Sequence, residues 1–523
     1  MNAGGRGRPV CRPAPACRPT PRRHAVAALV AAVLVVAGCH HARPASAPAL
    51  PAHPAQPALV SLQHDIDTIL AAPALERGYW GVLVKSLDTD DTLYAINARK
   101  LMMPASNMKI VTLAAAAARL GWDFQYRTTL MTAGAIADGT LNGDLVVVGS
   151  GDPSITDATA STLFTSWAEQ LKAQGITTIA GAIVGNDGAL GDEPLGMGWS
   201  WDDLADGYAA GVGALQFDEN MARVTIAPGP EPGTPARVTI APGAAGLVVR
   251  NRITTGTAGS ADSIGTHRQP GSVELELRGT IALGSPTRIQ TVSVDKPGQF
   301  FVAALREGLK DAGIDVRGPA VTNTDAAGDA SGDGLRRLVE SRSPPLSTLA
   351  IRMMKASQNQ YAETLLRTLG AATGPPTDAN GAATVASILE PWGVRKDGLI
   401  QRDGSGLSRY DYVTPETLVT TLAHVEHDAT LWPPFDASLP IAGRDGTLSN
   451  RLKGTPAEGN LRAKSGSMSN VRALSGYVTS ADGERLVFSI LANNFESRAD
   501  VVNAATDAIV VRLAEFTRSA RTR

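Results

Sequence analysis

Ser106 and Lys109 stand three residues apart in Ser106-Asn107-Met108-Lys109, at the head of an Ala-rich run. On a helix that spacing puts both side chains on one face. Lysine is a cation in water. In a dry site beside a second cation it gives up its proton and becomes a base. Beside a serine hydroxyl, such a base makes a nucleophile without histidine. Taken alone, the pair also fits a helix cap with a solvated lysine. Two later segments carry related groups. Ser357-Gln358-Asn359 opens the helical stretch QNQYAETLLRTLG, and Lys464-Ser465-Gly466 lies just before a strand-like run from Arg472. Gly466 permits a strand edge to approach another backbone. Other candidates are weaker. His424 and His427 are three apart, as in some metal sites, but no cysteine or further histidine is near, so no metal is expected. His40, His41, His53, His64 and His267 are scattered, and none sits in a nucleophile elbow, which argues against a Ser-His-Asp hydrolase. Asp152-Pro153 reads as turn chemistry. Arg402-Asp403 fits a surface ion pair, and the glycines around Ser405 fit a plain turn.

These groups need a scaffold, and the composition supplies one. The 523 residues are 43% hydrophobic and 19% charged, enough for two to four domains with a sizeable core. Lys+Arg of 48 against Asp+Glu of 50 argues against a nucleic-acid partner, which calls for a basic excess. Three cysteines exclude a disulfide scaffold and a four-cysteine zinc site. Residues 1–24 carry six arginines and no acid, and the apolar run 25–38 follows, too short to span a membrane comfortably. It reads as a signal peptide, 1–38, ending in Val36-Ala37-Gly38-Cys39. This resembles a bacterial lipobox, in which Cys39 is lipidated and becomes the first mature residue. The alternative is an ordinary signal peptide with a cysteine near its cleavage site. Removal of 1–38 takes the net charge from −2 to −8 and leaves Cys39 as the single cysteine. Residues 39–58 are a Pro/Ala-rich tether, of which sixteen residues in polyproline geometry reach roughly 50 Å.

Leu59, Leu62, Ile66 and Ile69 predict a first helix to about Ala72. Tyr79–Leu87 and Thr92–Ala98 predict a hairpin, as do Arg472–Ser480 and Arg485–Asn493. A last helix shows Val502, Ile509, Leu513 and Phe516 on one face. Helices on an antiparallel sheet, closed by both chain ends, are expected. The main domain is therefore read as 59–128 and 297–523. The segment 129–296 between them reads as β-rich inserted material, with long helices scarce. Within it ARVTIAP occurs twice, ending at Pro228 and Pro242. Thr324–Gly334 reads as a surface excursion.

Ser-x-x-Lys, Ser-x-Asn and Lys-Ser/Thr-Gly in this order are the signature of penicillin-binding proteins and serine β-lactamases. Over roughly 60–515 the chain resembles the low-molecular-mass class C penicillin-binding proteins, the D-alanyl-D-alanine carboxypeptidase/endopeptidase group. The segments that carry it include PASNMKIVTLAAAAARLG, LNGDLVVVGSGDPS, RDGSGLSRYDYVTP and LRAKSGSMSNVRALSGY. Ser106 and Ser357 are 251 positions apart, which matches a family that fills this interval with inserted domains. The departure is Ser465, where threonine is usual. The resemblance implies an α+β, transpeptidase-like fold with a β-rich insertion between the first and second motifs. It implies Ser106 as nucleophile, Lys109 as base, and Ser357, Asn359 and Lys464 as proton-transfer and orienting groups. It also implies backbone N–H groups of Ser106 and Ser467 as oxyanion hole, and Ser465 and Gly466 against the substrate. For the peptide side chain it implies Asp203 (with Asp202 as the alternative), Ser405, Arg409, Met468 and Ser469. Peptidoglycan peptides and β-lactams are the expected partners, with no cofactor, and a membrane is reached through lipid on Cys39. The alternatives are a β-lactamase or esterase of the same fold, and a catalytically silent wall-binding lipoprotein.

Overall fold

The computed structural model describes residues 57–322 and 334–518. Cys39, the signal segment, the tether up to residue 56 and most of the 324–334 excursion lie outside the described residues. Pro57 and Ala58, read as the end of the tether, instead open the first helix, Pro57–Leu70.

Both chain ends build one five-stranded antiparallel sheet. Its order is Thr92–Ile96, Tyr79–Ser86, Arg485–Asn493, Val471–Thr479, Arg462–Met468. The central run RLVFSILAN is apolar on both faces because both are covered. On one face Val82, Val84, Phe488 and Ile490 meet Leu62 and Ile66 of helix Pro57–Leu70 and Val502, Ile509 and Leu513 of helix Ala499–Glu515. The two terminal helices are also linked by Arg512 Nη2 to Asp65 Oδ2 at 2.5 Å. On the other face Leu83, Val487 and Leu491 pack into the core that holds helices Met108–Leu120 and Pro415–His427. Each such side chain, removed from water, contributes about 1.5–3 kcal/mol. Helix Met108–Leu120 is buried almost throughout, which its alanines permit, and it stops at Gly121, where φ is +81°.

The insertion is wider than its composition suggested. Arg127–Thr132 leads into it and Arg336–Arg342 leads out, and the two pair antiparallel with Arg127 opposite Arg342. Helix Pro297–Asp311 was expected in the main domain. It packs Phe300, Phe301 and Leu305 against Phe164, Trp167 and Phe217 of the insertion. The inserted body therefore runs from about 127 to 342, and the second part of the main domain begins near 343, not 297. Long helices are scarce in 129–296, as expected, with one exception among the described residues. Asp157–Ala173 is a 17-residue helix whose Ala160, Phe164, Trp167 and Leu171 form a buried stripe. Its Thr- and Ser-rich outer face conceals that stripe in any averaged composition. The ARVTIAP echo has a simple form: Met221–Ala227 and Arg237–Ala241 are neighbouring antiparallel strands.

Several hydrogen bonds join the inserted body to the catalytic region, those of Glu219 among them. Glu219, 4% exposed, takes Arg352 in a bidentate pair at 2.7 and 2.9 Å and also accepts from the Gln358 amide. It belongs to a turn in which Asp218, Glu219 and Asn220 all have φ near +50°, a conformation that ordinary residues keep only when the surroundings impose it.

Candidate active site

Ser106 occupies a tight turn, Ala105–Asn107, that runs directly into helix Met108–Leu120. Ala105 has φ +46°, in the left-handed region. Two glycines press on this turn. A Cβ on Gly406 would lie 1.8 Å from the Ala105 carbonyl oxygen, and one on Gly466 would lie 3.0 Å from the Ser106 nitrogen. Neither position accepts a side chain without moving backbone, which fixes how closely the 402–411 loop and the strand Arg462–Met468 approach the serine.

Lys109 is fully buried beneath Ser106. Its Nζ lies 3.0 Å from Ser106 Oγ, 2.6 Å from Asn359 Oδ1 and 3.0 Å from the Ser405 carbonyl oxygen. Burial pushes this ammonium down to about 8, against the opposing pull of Glu363 and Asp403. Lys464, equally buried, donates to Ser357 Oγ at 2.8 Å and to its neighbour's carbonyl at Ser465 at 2.8 Å. Burial and the Lys109 cation both drive it well below the ordinary lysine value. Ser357 itself has φ +60°, and helix Asn359–Ala371 starts two residues on. Three segments, drawn from positions 106, 357 and 464, thus meet as two serine–lysine pairs, with Asn359 against Lys109. Two buried amines that disfavour each other's charge are the arrangement that leaves one of them neutral and basic.

The cleft above these groups has a volume of about 610 Å³. Ser106, Ser357, Asn359 and Ser467 line it, with Asp203, Tyr208, Arg409, Met468 and Ser469 further out. Asp203 lines the cleft and Asp202 does not; Asp203 Oδ1 accepts from the Tyr208 hydroxyl at 2.7 Å. The Tyr208 carbonyl accepts from Asn359 Nδ2 at 2.7 Å, so the inserted body reaches the second motif directly. Arg409 Nη1 donates to the Ser469 carbonyl at 3.3 Å.

Some expected residues fall elsewhere. Ser405 was expected to face the substrate, yet it is fully buried, and its hydroxyl accepts from the Leu407 N–H at 3.2 Å. Its link to the site is the carbonyl held against Lys109. The Ser465 hydroxyl is paired with Thr447 Oγ1 at 2.6 Å. Asp403 is no surface partner of Arg402. It is buried and accepts from the N–H groups of Gly406 and Ser408, both at 2.6 Å, and from Trp199 Nε1 at 2.9 Å. Asp152 does serve a turn, accepting from Ser154 N at 2.9 Å. His424 stacks on Trp392 with centroids 4.1 Å apart.

Several supporting residues gave no sequence signal. Glu363 accepts from Gly404 N at 2.7 Å and Ser405 N at 2.8 Å, which sets the carbonyl that meets Lys109. Burial and nearby Asp403 raise its carboxyl well above the usual range. Asp411, also raised by burial and Asp403, accepts from Arg402 N at 2.5 Å. Asn107, fully buried, donates to the Lys464 carbonyl at 2.8 Å and accepts from the Ser475 hydroxyl at 2.7 Å, the amide orientation that satisfies both neighbours. Glu363 four residues past Asn359 on one helix face was the one legible hint, but a helical glutamate is usually solvated.

Comparison with known proteins places this arrangement. Residues 62–516 match the model of the D-Ala-D-Ala carboxypeptidase 3 (S13) family. The chain is 34% identical over 472 residues to a D-alanyl-D-alanine carboxypeptidase of Actinomadura sp. (strain R39), covering 88% of this chain and 85% of that one. The crystal structure of penicillin binding protein 4 from Haemophilus influenzae superimposes with a TM-score of 0.76 at 27% identity, covering 86% of this chain and 98% of that one. The same protein complexed with a β-lactam gives a TM-score of 0.68 at 26% identity, with 85% and 97% covered. With both lysine–serine pairs assembled and the match running through nearly all the described residues, the chain belongs to the D-Ala-D-Ala carboxypeptidase 3 (S13) family.

Proposed function

We propose that this chain is a penicillin-sensitive serine peptidase that cleaves peptidoglycan peptides ending in D-Ala-D-Ala, and opens cross-links made through D-Ala, by way of an acyl-enzyme on Ser106. The observation that carries the reading is the contact of buried Lys109 with Ser106 Oγ and Asn359, beside the Lys464–Ser357 pair. Neutral Lys109 takes the Ser106 proton as Oγ attacks the penultimate D-Ala carbonyl carbon. Negative charge developing on the carbonyl oxygen is held by the N–H groups of Ser106 and Ser467. The C–N bond then breaks. The leaving amine takes a proton through the Ser357 hydroxyl, whose own position is fixed by Lys464. Water attacks the resulting ester with Lys109 again as base, which frees Ser106. A β-lactam follows the first half of this path because its strained amide is the same kind of acyl donor.

Asp203 and Arg409 support a finer substrate assignment. They present opposite charges on the outer cleft, a carboxylate for an ammonium and a guanidinium for a carboxylate. The two charges at the end of a diaminopimelate side chain fit them. Asp203→Ala and Arg409→Ala are each expected to cut kcat/KM for a diaminopimelate-type peptide by about 30- to 1000-fold. Acylation by benzylpenicillin, which lacks that side chain, should stay within a few-fold. Release of D-alanine from the peptide, followed beside drug acylation on the same preparation, checks the split. Equal losses in both would overturn the assignment.

Export and lipidation at Cys39 belong to the same proposal. The support is the arginine-rich start, the apolar run 25–38 and the small residues before Cys39. No helix among the described residues is long and apolar enough to cross a membrane. Cys39→Ala is expected to abolish lipid labelling while the folded region keeps its activity on soluble peptides. Mass spectrometry of the mature amino terminus decides it: an unmodified protein starting elsewhere would remove the lipid from the account.

A further inference from the structure

Arg472 is left without a task by the chemistry above. The walls of the cleft carry three charged side chains, Asp203, Arg409 and Arg472. Asp203 and Arg409 suit the two ends of one zwitterionic side chain. Arg472 has no such complement. Among the described residues no carboxylate pairs with it, and the charged neighbour that acts on it is another cation, Arg451. Its Nη1 donates to the carbonyls of Met468 at 2.8 Å and Val471 at 2.7 Å, and its guanidinium carbon lies 5.8 Å from the centre of the Phe495 ring. Among the described residues Nε and Nη2 make no hydrogen bond, so that edge of the fork has donors to spare. A half-buried guanidinium held in place without a counter-charge is costly unless an anion arrives.

Its position says which anion. Arg472 is the strand partner of Ser467, and it grips the carbonyl of Met468 while Arg409 grips that of Ser469. Two guanidiniums from different segments thus bracket the outer end of the strand Arg462–Met468. A peptide laid along that strand, with its scissile carbonyl at Ser106 and Ser467, sends its preceding residues toward Met468 and Ser469. We propose that Arg472 forms a second anion subsite of this cleft, taking the carboxylate of an acidic residue one position further from the scissile bond than the diamino acid. The proposal rests on the D-Ala-D-Ala reading of the site. It makes the enzyme one that distinguishes stem peptides with a free carboxylate at that residue from those in which it is amidated.

Two synthetic peptides test this. Both end in diaminopimelyl-D-Ala-D-Ala. One is preceded by γ-linked D-glutamate with its α-carboxylate free, the other by the corresponding α-amide. The wild-type protein is expected to favour the carboxylate by about 10- to 50-fold in kcat/KM. Arg472→Gln keeps donors for the two backbone carbonyls but removes the charge, and should bring the ratio near one with benzylpenicillin acylation within a few-fold of wild type. Arg472→Lys should retain part of the preference. Equal use of the two peptides by the wild type would overturn the subsite. So would an undiminished preference in Arg472→Gln, or a uniform loss for both peptides and the drug, which would make Arg472 a clasp for its own hairpin. A failure of the underlying reading shows itself separately, as absence of a benzylpenicillin adduct on Ser106.

Discussion

A Ser106→Ala protein is expected to form no covalent adduct with labelled penicillin and to release D-alanine about 10⁴- to 10⁶-fold more slowly than wild type. The size follows from what the hydroxyl does. It is the atom that takes the acyl group, and the remaining groups then hold a substrate with no nucleophile between them. The substitution removes one oxygen from a half-buried side chain whose hydrogen-bond partner is Lys109 Nζ at 3.0 Å. The fold should survive, since Ala105–Asn107 is held from outside by Gly406 and Gly466 and from below by Asn107. Mass spectrometry of the intact protein after drug exposure reads the adduct, and peptide mapping places it. An adduct on another residue, or peptidase activity that survives the change, would sink the mechanism.

The second large effect is expected at Lys109, and its form matters more than its size. Lys109→Met should slow acylation about 10²- to 10⁴-fold, the usual contribution of a positioned base. Lys109→Arg should be no better, because a guanidinium keeps the charge and cannot give up its proton. If Lys109 acted only as a fixed cation for orientation, arginine would recover much of the rate. The pH dependence carries the same information. With its ammonium pushed down to about 8, the base form grows as pH rises. The acylation rate should therefore climb close to tenfold per pH unit below about 8 and level off above it. Stopped-flow acylation by benzylpenicillin from pH 5 to 10 measures this. A rate that is flat across that range would show that Lys109 is not the group whose deprotonation limits acylation.

Opposed influences set that value. Burial alone drives Lys109 further down, and Glu363 with Asp403 draws it back. These two carboxylates also fix the backbone of the 402–411 loop through the N–H groups of Gly404, Ser405, Gly406 and Ser408. The same loop carries Arg409 to the outer cleft. One buried acidic cluster therefore shapes the proposed base and places Arg409, the proposed specificity group. It is costly to bury, and the N–H donors and the lysine offset that cost.

The sequence by itself determined the chemistry and the main sheet. Ser106 and Lys109 are three positions apart, so the turn Ala105–Asn107 running into its helix brings them together locally. Ser357 and Asn359 lie at a helix start and Lys464 just ahead of a strand-like run, each a local property of its segment. The hairpins at both ends were legible from their apolar runs, and Arg485–Asn493 is the strand as expected. What the sequence did not determine depends on contacts between distant segments. Pro297–Asp311 has an ordinary amphipathic pattern, and only its partners, Phe164 and Phe217, assign it to the inserted body. The family resemblance puts Ser405 against the substrate, yet the Glu363 carboxylate binds its N–H and its carbonyl meets Lys109. Asp202 and Asp203 are adjacent and chemically identical; the turn that gives Asp203 to Tyr208 and the cleft separates them. Periodicity encodes which face of a segment is buried, but which neighbour buries it is a property of the assembled core. The fate of a buried charge follows from that neighbour, and so only the tertiary structure could decide it.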